Sequence, residues 1–226
     1  MKLLAIETAT EACSAALYIN GEIREHYAVA PRQHAEQILP MMDQLLAEAG
    51  LKLSQLDALA FGRGPGSFTG VRIATGVIQG AAFGAQLPVV PISTLAALAQ
   101  RHYRMQGARR ILPAFDARMG ELYWAAYEVM DNDLVTRVGS EQVATPERVD
   151  LPAGEGWQGV GRGWATYNEI LIQRMGARLT AIEGDLLCSA QDVARLAVRG
   201  YAAGEAVAAE LALPIYLRDQ VAKKPA

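Results

Sequence analysis

One plan is written twice along this chain, and the repetition restricts the folds open to it more than any other feature. The apolar run Leu3 to Ile6 ends in an acid, Glu7, and a polar turn, Thr8-Ala9-Thr10-Glu11. Far downstream Ile111 to Phe115 ends in Asp116 and the turn Ala117-Arg118-Met119-Gly120. A strand–turn–strand pattern follows each. In the first copy Ser14 to Ile19 meets Asn20-Gly21, a strong hairpin signal, and returns through Ile23 to Tyr27. In the second an alternating strand, Glu121 to Val129, turns at Asp131-Asn132-Asp133 into Leu134 to Val138. The expectation is an α/β protein of two tandem halves, 1–106 and 107–226, with the C-terminal segment packing back on the first.

Between the meanders the pattern alternates helix and strand. A helix is predicted from His34 to Ala49, with Ile38, Leu39, Met42, Leu45 and Leu46 on one wide face, Pro40 in its first turns and Gly50 closing it. The strand Leu56 to Phe61 then enters Gly62-Arg63-Gly64-Pro65-Gly66-Ser67-Phe68-Thr69-Gly70, and a helix starts near Thr69. Glycine at 62, 64, 66 and 70 permits positive φ and close approach of backbone to a ligand, and the free amides of a helix start favour an anion. The competing reading is a tight turn with no ligand. A short strand, Pro88 to Pro91, and a helix from Ser93 to Arg104 complete the half. In the second half a glycine-rich segment (Gly154 to Gly163), a helix (Ala165 to Met175), a strand (Leu179 to Ile182) and a helix (Ser189 to Tyr201) follow. The tail Leu213 to Leu217 reads as strand-like or extended, and Lys223-Lys224-Pro225 as frayed.

Spacing removes the familiar phosphate and hydrolase motifs. No lysine stands between Lys52 and Lys223, so a Walker loop is absent. Gly64-x-Gly66 is followed by glycine at 70 where a dinucleotide fingerprint needs 69, and Pro65 and Thr69 exclude a nucleophile elbow around Ser67. A formal net charge of −3 argues against a nucleic acid carried by this chain alone, while a local basic patch shared with a partner stays open. The two cysteines, Cys13 and Cys188, have no zinc spacing and read as buried thiols. The apolar start is too short for a signal sequence, no membrane span is expected, and the cytoplasm follows.

Two halves of this kind, each opening with an acid at the end of its first strand, are similar to the actin-like ATPase plan of actin, Hsp70 and the sugar kinases (ASKHA), with mixed sheets. The resemblance sharpens in LLAIETATEACSAAL, RQHAEQILP, GRGPGSFTGVRIATG, FDARMGELYWAAY and PIYLR, which together resemble the TsaB (YeaZ) family over nearly the whole chain. That resemblance implies an accessory subunit in tRNA threonylcarbamoyladenosine (t6A) synthesis, paired with its catalytic paralogue TsaD, assisted by TsaE, homodimeric in isolation, and touching tRNA only through the complex. The paralogue's metal-binding His-x3-His pair falls on Thr94 and Leu98, so no metal and no catalytic residue are expected. The rival reading is a stand-alone actin-fold enzyme, a phosphotransferase or a metalloprotease.

Two sets of candidate residues result. Thr8, Thr10, Gly64, Gly66 and Asp116 are the lining expected for a weak or shared ATP/ADP, with no intrinsic cofactor. His34, Ile38, Met41, Met42 and Leu45 on the first helix, with Ala74, Gly76, Val77, Gly80 and Gly84 on the second, are the expected partner interface. Glycines four apart leave a face almost without side chains, where another helix can approach closely. Three interior glycines cost about 1 kcal/mol each, which a contact inside the chain or with a second chain must offset, and the competing reading is that both helix faces are internal core.

Overall fold

The computed structural model describes residues 1–218, so Lys223-Lys224-Pro225 lies outside the described residues. Strands β1 (Lys2–Glu7), β2 (Ala12–Ile19) and β3 (Glu22–Val29) form an antiparallel meander. Strand β4 (Ala58–Gly62) pairs in parallel with β1, and β5 (Val89–Ile92) in parallel with β4. The sheet order is β3-β2-β1-β4-β5. The second half repeats it: β6 (Arg110–Arg118), β7 (Glu121–Val129) and β8 (Val135–Ala144) form the meander, β9 (Trp157–Val160) pairs with β6, and β10 (Leu179–Glu183) with β9. Read from its meander, the second sheet is β8-β7-β6-β9-β10. The chain is an α/β protein of two mixed five-stranded sheets with the same strand order.

The central strands carry unbroken apolar runs because both faces are covered. Leu4 and Ile6 of β1 point to helices α1 (His34–Glu48) and α2 (Phe68–Ala85), where they meet Ile38, Leu45, Phe61 and Ile78. Leu3 and Ala5 point the other way, into a core shared by both sheets and by helices α3 (Thr94–Gln106) and α5 (Ala190–Ala202). Helix α4 (Arg162–Met175) covers the far face of the second sheet, setting its own Trp164 among Trp124 and Trp157. The last helix of each half packs on the other half's sheet: α3 lies on β6, β7 and β8, and α5 on all five strands of the first sheet. Arg104 on α3 grips the buried Asp192 on α5 with two hydrogen bonds, at 2.9 and 2.8 Å.

Three expectations need correction. The glycine-rich segment contains strand β9, and its Gly159 is required because a side chain there would overlap the Trp164 indole. Strand β8 runs to Ala144, well beyond Val138. Of the two readings of the tail from Leu213, strand-like or extended, the strand is not formed, and Ile215 N–H donates to the Arg63 carbonyl at 2.9 Å and holds the tail on the glycine loop.

Candidate functional site

The loop after β4 is packed onto the turn after β1. A side chain on Gly62 would overlap the Glu7 carboxylate, and one on Gly70 the Thr8 carbonyl. A Cβ on Gly66 would stand 2.7 Å from the Ala9 carbonyl oxygen. The close approach read from these glycines is therefore to the chain's own atoms, the Glu7 carboxylate at Gly62 and the backbone of Thr8 and Ala9 at Gly70 and Gly66, in place of a ligand. Thr8 is spent on the same contact, its hydroxyl donating to the Gly70 carbonyl at 2.7 Å. Gly64, at φ +93°, donates its N–H to the Thr94 hydroxyl at 3.1 Å and lies under the Ile215 carbonyl. Thr94 is thus a structural cap, and Leu98 is fully buried core. Glu7 accepts from the Ala9 N–H at 2.6 Å, and its other oxygen is buried without a partner. Burial pushes this carboxyl from 4.5 up to about 7, against the pull of the Ala9 and Thr8 amides.

Of the five expected lining residues, Thr10, Gly66 and Asp116 face a common cleft between the halves, about 940 Å³ in volume, and Thr8 and Gly64 do not. Asp116 forms an ion pair with Arg118, at 3.1 Å, and accepts from the Arg118 amide at 2.8 Å and the Tyr167 hydroxyl at 3.3 Å. Burial, then the Asp116 charge, raises the Tyr167 phenol. Arg118 and Met119 hold φ at +63° and +58° in this turn, where a nucleotide-gripping turn would use small residues.

Several cleft residues lie in the stretches that carry the resemblance, but nothing in their spacing assigned them to a site. Phe68 and Arg72 sit four apart at the start of α2, so the guanidinium lies 3.2 Å from the Phe68 ring centroid. Tyr216, from the tail, brings its ring within 5.0 Å of the same guanidinium. Arg218 then reaches the other half, donating to the Glu121 carboxylate and to the Ala117 carbonyl at 3.1 Å. The PIYLR tail is a strap across the mouth of the cleft. Its spacing matches no motif, and only the fold brings it to Phe68.

The histidines are separated. His26 pairs with Glu48 at 3.2 Å, His34 bonds the Thr10 carbonyl at 2.9 Å, and His102 bonds Gln158 at 2.8 Å. Among the described residues no three His, Cys, Asp or Glu side chains form a metal-binding group. No helix of the described residues is long and apolar enough to cross a membrane.

The expected partner face divides in two. Ile38, Met42, Leu45 and Ala74 belong to the core against the first sheet, and His34 is buried in its bond to Thr10. Met41 and Val77 are half-buried at the edge of that core. Gly76, Gly80 and Gly84 are exposed, with nothing within 4 Å of an added Cβ, and Phe83 beside them is 80% exposed. The wide apolar face of α1 is internal because the first sheet needs a cover. The glycine edge of α2 is open.

The family model described as TsaD: tRNA N6-adenosine threonylcarbamoyltransferase matches residues 26–226. The tRNA threonylcarbamoyladenosine biosynthesis protein TsaB of Escherichia coli (strain K12) is 44% identical to the chain, over 99% of this chain and 97% of that protein. The chain belongs to the TsaB (YeaZ) family. The TsaB protein of Haemophilus influenzae is 41% identical over 99% of this chain and 96% of its own length. A solved structure from the same family, YeaZ from Pseudomonas aeruginosa, superposes with a TM-score of 0.89 at 51% identity, covering 96% of this chain and 99% of that one.

Proposed function

We propose that this TsaB-family chain is a non-catalytic accessory subunit for t6A modification of tRNA, working in the cytoplasm, which docks the catalytic paralogue TsaD through the open edge of α2 and acts with it and TsaE. The names of its relatives supply the pathway. The observation that carries the docking is the row Gly76, Gly80 and Gly84, solvent-exposed on the 18-residue helix α2 with no neighbour among the described residues to offset its cost. A second chain supplies that contact, either another copy or TsaD, so the two pairs compete. The absence of a catalytic role is supported by Thr94 and Leu98, which serve as a loop cap and core.

The test is tRNA modification by purified TsaD, TsaE and threonylcarbamoyl adenylate, with and without this chain. The expected result is strong dependence on the chain. Equal activity in its absence defeats the reading. Gly80→Leu, which meets open space inside the chain, is expected to give a folded monomer that no longer binds TsaD; a folded, dimeric variant that still binds TsaD removes this edge from the interface. The rival, a metal-dependent hydrolase or phosphotransferase, predicts turnover by the chain alone that survives repurification and is abolished by a chelator.

A further inference from the structure

The strongest feature that docking leaves unused is the mouth of the cleft. Five arginines line it, Arg32, Arg72, Arg118, Arg162 and Arg218, each from a different segment, against two lining acids, Glu11 and Asp116. Asp116 is committed to Arg118, Arg162 pairs with Asp185 at 3.4 Å, and Arg218 with Glu121. Arg32 and Arg72 make no ion pair among the described residues. This concentration of cations stands on a chain whose formal net charge is −3.

The cations come with exposed rings. Phe68 is 62% exposed and Tyr216 46% exposed, with centroids 6.1 Å apart and the Arg72 guanidinium against both. Exposed rings, with the Arg72 guanidinium already on one face of Phe68, beside two arginines without an ion pair offer stacking area and phosphate contacts together, the combination that holds unstacked nucleotides. A free nucleoside triphosphate is a poor fit, because the turn after β1 that would hold its phosphates is filled by Gly66 and Gly70 of the chain itself. Among the described residues no lysine lines the cleft and no group of three metal-ligating side chains stands there to hold a triphosphate's counter-ion.

We propose that the cleft mouth binds a single-stranded segment of the tRNA substrate, with a base stacked on the Phe68–Tyr216 pair and phosphates on Arg32 and Arg72. This rests on the tRNA reading above and adds a direct RNA contact by this chain, where the sequence led us to expect tRNA contact only through the complex.

The experiment is fluorescence anisotropy with an unmodified transcript of a tRNA that reads codons starting with A, titrated with the chain alone and with TsaD and TsaE over a range of salt. The variants are Arg32→Glu with Arg72→Glu, and separately Tyr216→Ala, each checked for TsaD binding by size exclusion. The double charge change is expected to reduce the slope of log affinity against log salt by about 1.4, two single-strand contacts at roughly 0.7 each. Tyr216→Ala is expected to weaken binding by roughly fivefold or more. Unchanged affinity and slope in both variants overturn the proposal. So does loss of TsaD binding with RNA affinity intact, which makes the lip a protein contact, or saturable ATP binding that the same variants abolish while tRNA binding stays normal. If the chain proves dispensable for modification and the variants still weaken RNA binding, the accessory reading falls and the RNA contact stands.

Discussion

Glu7 shows how one buried group sets a property of the whole chain. Its folded carboxyl ionises near 7 and its unfolded one near 4.5, so between those values the folded state holds a proton that the unfolded state has released. Its contribution to stability is therefore complete below pH 4.5 and lost as pH rises through 7, a loss of about 3 kcal/mol at roughly 1.4 kcal/mol per unit. Glu7→Gln keeps an acceptor for the Ala9 amide and removes the titration. Urea unfolding at pH 5 and pH 8 is expected to show the variant nearly level and the parent weaker at pH 8; equal slopes would place the charge elsewhere. The same turn explains what sequence could and could not say. The acid and hydroxyls of Thr8 and Thr10 were legible as a cluster, but spacing does not record which way a side chain leaves a turn. Thr8 turns in to Gly70, while Thr10 lies at the cleft.

At the scale of elements, α2 carries two kinds of glycine. Gly70 has the Thr8 carbonyl where its Cβ would be, so Gly70→Ala is expected to destabilise by about 1–3 kcal/mol through overpacking. Gly80 meets open space, so Gly80→Ala is expected to stabilise the isolated chain by about 1 kcal/mol while weakening the pair it forms. Thermal unfolding beside a dimerisation measurement checks both signs; destabilisation of the monomer by Gly80→Ala would mean a packing role inside the chain. Meander strands and most helices were readable because period and turn chemistry are local. Strand β9 was not. It is four residues long and built around Gly159, so its only advertisement is a pairing with β6 and a tryptophan packed on its face.

For the whole molecule, the exchange of α3 and α5 between sheets makes the two halves one folding unit. Each half leaves its core open without the other's last helix. All three tryptophans, Trp124, Trp157 and Trp164, report on the second half. Their fluorescence is expected to be lost at the same denaturant concentration as the amide protection of β1 in the first half. A residue 1–106 fragment is expected to remain unfolded. Arg104→Ala, which strands the buried Asp192, is expected to cost about 3 kcal/mol and move both transitions together. Two separated transitions would mean that the halves stand alone. The duplication was legible in the two acid-ended strands, but the exchange was not, since it joins α5 to strands at the far end of the chain.

The duplication is unequal in one place. Helix α1 lies between β3 and β4, while β8 and β9 are joined by residues 145–156 without a helix. Beside α2 there is a companion helix, and beside α4 there is none. Had both halves carried an open helix edge like that of α2, each molecule would have had two heads, and copies would have strung together end to end into a fibre. On the docking proposed above, one open edge lets growth stop at the first partner, so a pair is the expected assembly.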